Sequence, residues 1–195
     1  MLLGRTRYFV KEHVGVLKLT DTYDILDPET RQQVGSARDQ PSGWAKFARL
    51  LLKKQFLPTT INVYESESSP PVLSIRKRPG FFRASVVVAD ATHAVLGRLQ
   101  QKLFSIGGGF RVFDPTGQHV ANVTGDWKGW NFRFLDNSGV ELGVVTKTWA
   151  GAGKELFTTA DNYMIALSPG SDGTPHRAAL LLAAGLAIDT VFKER

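Results

Sequence analysis

The apolar and polar positions of this chain fall into a short pattern that recurs. "YDILDPETRQQVG" runs from Tyr23 to Gly35, "FRVFDPTGQHVANV" from Phe110 to Val123, and "FRFLDNSGVELGVV" from Phe132 to Val145. "SVVVADATHAVLG", from Ser85 to Gly97, is a looser copy. In each, an alternating apolar stretch leads to an aspartate (Asp27, Asp114, Asp136 or Asp90). A second apolar stretch starts six or seven residues later, at Val34, Val120, Leu142 or Leu96. Alternation puts one face of an extended chain on a core, so each copy predicts a strand, a turn and a second strand. Asp caps its own backbone in such a turn, Pro presets φ, and Gly117 and Gly139 supply positive φ.

A hairpin cannot bury its face alone, so several must close on one another. The stretch from Lys102 to Gly117 also echoes that from Val14 to Thr30. The echo predicts two similar halves meeting near residues 98–100, joined in one barrel and one domain over residues 1–195. Nineteen glycines and nine prolines agree with a turn-rich, mainly β chain.

Two segments break the alternation. From Ser42 to Pro58 the spacing of Trp44, Phe47, Ala48 and Leu51 predicts a short amphipathic helix near residues 43–56, with Ser42 as cap and Pro58 as stop. From Thr174 the chain predicts a second helix, capped by Thr174 with Pro175 in its first turn. Its uncharged stretch, Ala178 to Ile188, is eleven residues. A spanning helix needs roughly 20, so this one is read as buried on every side, inside the barrel. Membrane insertion is the competing reading.

Charge changes the picture more than overall composition does. Net charge is +6, which favours phosphate-bearing partners, either anionic lipid or nucleic acid; ordinary solubility is the bland alternative. Two basic clusters stand out. Lys46, Arg49, Lys53 and Lys54 lie on the first helix, in a stretch with no acidic residue from 40 to 64. Arg76, Lys77, Arg78 and Arg83 flank Phe81 and Phe82. A basic turn with aromatics suits an anionic membrane interface, and a solvated basic surface is the alternative. Lys46, Arg49, Lys53, Lys54, Arg76, Lys77 and Arg78 are the candidate head-group contacts.

Signatures of catalysis are scarce. The chain has no cysteine, which removes thiolate chemistry, disulfides and S-palmitoylation. His13, His93, His119 and His176 are scattered, and His93 and His119 fall in expected turns. "AGAGKE", Ala150 to Glu155, lacks the first glycine and the Ser or Thr of a phosphate loop. In "GDWKGWNFRF", Gly125 to Phe134, Trp127 and Trp130 beside Lys128 and Arg133 could stack on bases. Packing on a barrel core is the simpler account, and nucleic acid is the lesser alternative. Charges at Arg5, Arg7, Lys11 and Glu12 interrupt the first apolar run, so no signal peptide is expected and the cytoplasm is the default location.

Taken together, "YDILD", "FRVFDPTG", "GDWKGWNFRFLD", "LFTTADNY" and the short terminal helix resemble the phospholipid scramblase and LURP-one-related group, of the tubby C-terminal-like fold. The resemblance runs from Tyr8 to Phe192. It implies a closed antiparallel β-barrel of about 12 strands around a buried hydrophobic C-terminal α-helix. It also implies a protein without catalysis that binds anionic phospholipid head groups at a membrane surface, peripherally at the inner face. An interaction or scaffold module without a lipid role is the alternative, and an active scramblase is a third. The family's acidic, calcium-binding segment corresponds to Thr159–Gly170, where Asp161 matches but Thr159 and Gly170 replace acids. One carboxylate falls short of the several that calcium wants, so no cofactor is expected and calcium is left open by a degraded motif.

Overall fold

The computed structural model describes residues 1–13, 20–41, 43, 57–78, 84–103, 108–126, 128–147, 162–170 and 174–192. Among them, twelve strands close into one antiparallel barrel around a C-terminal helix. The strands are β1 (Arg7–Glu12), β2 (Thr22–Leu26), β3 (Gln33–Asp39), β4 (Thr59–Tyr64), β5 (Leu73–Arg78) and β6 (Ser85–Asp90). They continue as β7 (Val95–Gln101), β8 (Gly109–Phe113), β9 (His119–Asp126), β10 (Asn131–Asp136), β11 (Glu141–Thr146) and β12 (Asn162–Leu167). Each pairs with its neighbours in sequence, and β1 pairs with β12 to close the ring, which leaves no sheet edge. The echo of residues 14–30 in 102–117 falls on β2 and β8, six strands apart in the ring; residues 14–19 and 104–107 lie outside the described residues.

All four Asp repeats are hairpins, and their sequences explain the geometry. In the turn after β10, Asp136 Oδ1 accepts from Ser138 N at 2.8 Å, Ser138 Oγ at 2.6 Å and Val140 N at 2.9 Å. Asp90 and Asp114 do the same with Thr92 and Ala94, and with Thr116 and Gln118. Asp27 accepts from the N–H groups of Glu29 and Thr30. Each turn needs one left-handed residue, filled by Gly117 and Gly139 in two of them. Arg31 at φ 59° and His93 at φ 68° fill it in the others. His119, expected in a turn, instead opens β9, with its ring 5.6 Å from that of Phe113.

Immediately after each turn the register slips by one residue, at Val34, Leu96, Val120 and Leu142. These are the residues where the second apolar stretch of each repeat begins. The bulge re-aims the strand so that Gly35, Gly97, Ala121 and Gly143 face inward after it. A side chain at Gly97 or Gly143 would meet Leu180 or Leu181 of the enclosed helix, so the small residues make room for it.

That helix, α1 (Pro175–Phe192), is 18 residues long. Thr174 Oγ1 accepts from Arg177 N at 3.4 Å, and Ala178 N donates to Thr174 O at 3.0 Å, so the expected cap is in place. Residues from Ala178 to Asp189 are buried, Leu180 partly, and both faces of β12 are buried too. The expected buried helix inside a barrel is what forms. Among the described residues no helix is long and apolar enough to cross a membrane.

Candidate functional site

Strand alternation gives the barrel two unlike ends. The connections at 27–32, 65–72, 91–94, 114–118 and 137–140 lie at one end, which holds the four Asp turns. The connections between β1 and β2, β3 and β4, β5 and β6, β7 and β8, β9 and β10, and β11 and β12 lie at the other. Helix α1 enters at the turn end, where the His176 ring nitrogen is 2.8 Å from Leu96 O. Its last turns reach the opposite end, where Tyr23 and Lys77 meet it.

Of the two basic clusters, the described part is Arg76, Lys77 and Arg78, on β5 as it runs to that helix-exit end. Residues 44–56 connect β3 to β4, and 79–83 connect β5 to β6. Lys46, Arg49, Lys53 and Lys54, together with the expected helix near 43–56, lie outside the described residues apart from Gly43, as do Phe81, Phe82 and Arg83. Arg76 and Arg78 are described: both are exposed on the outer face of β5, and neither is ion-paired among the described residues.

Lys77 is different. It is 5% exposed, points into the barrel, and donates from Nζ to Thr190 O at 3.4 Å. Alternation is the reason: of three consecutive cations on a strand, the middle one faces the opposite side. Lys77 therefore drops out of the head-group contacts and joins an interior polar layer around the end of α1, where a cation meets the helix's partial negative charge.

The same layer holds Asp189, 4% exposed, whose Oδ2 accepts from the Tyr23 hydroxyl at 2.7 Å. Burial first, then the Asp189 carboxylate, holds the Tyr23 hydroxyl well above its ordinary pKa; the same two causes act on Tyr163. Asp39, Thr59 and Gln101 are buried among the inward positions of neighbouring strands. The layer lines the interior at this end of the barrel with polar groups. Its chemistry is that of neutral phenols and a held carboxylate.

The other candidates resolve simply. Trp130 is buried, at φ 49°, edge-on to Phe132 with centroids 6.3 Å apart, and Lys147 Nζ lies 4.5 Å from its ring centroid. It packs on the core and is not available to stack on bases; Trp127 lies outside the described residues. Arg133 pairs with Glu141 at 2.6 Å. Ala150–Glu155 and Asp161 lie outside the described residues, and Asn162 opens β12 as a buried residue. At the turn end, a cavity of about 220 Å³ between α1 and strands β8–β11 is lined mainly by apolar side chains such as Val120, Phe134, Leu142 and Leu181.

Three cations on the same wall as Arg76 and Arg78 were not singled out by sequence clustering: Arg98, Lys102 and Arg111. They are scattered in sequence and become neighbours only through the pairing of β5 to β8.

The scramblase family model matches residues 75–195, more than half of the chain. The protein belongs to the scramblase family. Neither a curated protein nor a solved structure gives a significant match. Family membership brings a general relation to membrane lipid, and members are in general not catalytic enzymes.

Proposed function

We propose that this protein is a noncatalytic, scramblase-like module, a single domain of tubby-like type, that binds anionic phospholipid peripherally at the cytoplasmic face of a membrane. The observation that carries this is the pair of exposed arginines, Arg76 and Arg78, on one outer strand face near the helix-exit end. Each cation near an anionic leaflet contributes about 1 kcal/mol, so several together give reversible attachment. Lys46, Arg49, Lys53 and Lys54 belong to the same proposed contact surface.

Flotation with liposomes tests it, comparing neutral with anionic vesicles at low and high salt, followed by a carbonate wash. The expected result is binding to anionic vesicles alone, lost in high salt and in carbonate, and unchanged by calcium or chelator. Carbonate-resistant binding would mean that α1 leaves the barrel for the bilayer. No binding under any condition would favour a protein-interaction module instead.

A further inference from the structure

Strand register assembles an arginine array that no stretch of the sequence displays. Arg78 pairs across to Ser85, Ser85 to Gln100, and Gln100 to Arg111. One row further in, Arg76 pairs to Val87, Val87 to Arg98, and Arg98 to Phe113. All four arginines are exposed. At about 4.8 Å per strand, Arg76 and Arg98 stand roughly 10 Å apart and Arg78 and Arg111 roughly 14 Å. The residues between them are Ser, Gln and Val, with no carboxylate in either row.

Lys11 and Arg31 also stand without an ion pair among the described residues, but not in a row of like charges; four other arginines are paired. Arg5, Arg7, Arg38 and Arg133 each hold a carboxylate, at 2.5, 2.5, 2.8 and 2.6 Å. Arg76, Arg78, Arg98 and Arg111 hold none among the described residues. Lys102 joins them: burial, and then the charge of Arg111, hold its ammonium below the ordinary value. A fold that gathers like charges without counter-charges leaves that potential for an anionic partner.

An apolar tip sits beside the array. Leu103 is 46% exposed, and the other large apolar side chains exposed among the described residues, Met1 and Val140, lie at the turn end. Charge for head groups next to an apolar side chain for the interfacial layer is the chemistry of a membrane surface. We propose that the outer wall of β5 to β8 is the membrane-docking face, with Arg98, Lys102 and Arg111 joining Arg76 and Arg78 on phosphate head groups and Leu103 entering the interface. This rests on the phospholipid-binding reading and adds the face, the residues and the orientation.

Vesicles of phosphatidylcholine with and without phosphatidylserine test the face. The Arg98→Gln/Arg111→Gln variant should lose about tenfold or more in affinity for the anionic vesicles, with its melting temperature unchanged. Arg7→Gln/Arg133→Gln removes the same net charge from paired sites and should change affinity less than about threefold. Because the chain has no cysteine, Leu103→Cys and Val140→Cys each accept one polarity-sensitive dye. The label at 103 should shift to the blue on anionic vesicles, and that at 140 should not.

Equal losses in the two arginine pairs would reduce the effect to net charge and overturn the face. Wild-type affinity in the Arg98/Arg111 variant, or a blue shift at 140 alone, would overturn it and leave phospholipid binding standing. Failure of the unmodified protein to bind any vesicle would overturn both. Binding to single-stranded RNA in its place, lost in the Arg98/Arg111 variant, would assign the face to nucleic acid.

Discussion

Neighbouring residues of this chain carry the same charge to opposite ends of the energy scale. Arg76 sits in water on the outside of β5, while Lys77, one residue on, is buried against the end of α1. Arg76→Gln should change stability by less than about 0.5 kcal/mol. Lys77→Ala should cost about 2–4 kcal/mol, because it empties a buried position and leaves the partly buried Thr190 O without its cation. Chemical denaturation of the two variants checks the difference, and equal effects would contradict the inward placement of Lys77. Tyr23→Phe removes the donor to buried Asp189 and should destabilise by about 1–3 kcal/mol in the same assay.

Hairpins show how a repeat in sequence becomes a repeat in energy. The Asp136 carboxyl is held below its ordinary value by the Ser138 hydroxyl first and the Val140 N–H next. Asp90 and Asp114 are held down first by the hydroxyls of Thr92 and Thr116, and Asp27 first by the Thr30 N–H. A carboxyl whose folded pKa is depressed stabilises fully above its unfolded pKa, about 4, and loses that contribution as pH falls through the folded value. The denaturation midpoint should therefore drop as pH falls below about 4. Asp136→Asn should flatten part of that drop while lowering the midpoint at pH 7; an unchanged profile would deny the turn its carboxylate. In α1, a side chain at Gly185 would run into Ile165 of β12. Gly185→Leu should cost about 1–3 kcal/mol by overpacking, despite the better helix propensity of Leu.

The whole molecule depends on closure and on what fills it. Strands β1 and β12 bring the two ends of the described barrel together, and α1 supplies its centre. Inward positions such as Ile25, Val88, Leu99, Phe110 and Val145 pack in one cluster with Leu182, Ala183 and Leu186. Removing residues 174–195 should leave a chain without a cooperative thermal transition, read by near-ultraviolet circular dichroism; a retained transition would mean the barrel holds its core without the helix. The interior also sets the alkaline limit. Tyr23 and Tyr163 are held neutral well above their ordinary value, so their contribution is full below about pH 10 and drains away as pH rises beyond it.

What the sequence determined by itself was whatever depends on near neighbours. The alternating stretches and the Asp turns are local, since a carboxylate reaches only a few residues along its own backbone. The length and uniform apolarity of Ala178–Ile188 were enough to place the helix inside. Tertiary structure decided which cations share a surface. Arg98 and Arg111 are separated in sequence from Arg76 and Arg78, and hydrogen bonding across four strands makes them one array. A run of basic residues overstated the site at Lys77, because adjacent strand residues face opposite sides. Charge is felt through space and side-chain direction is set by register, and neither distance nor direction is written along the chain.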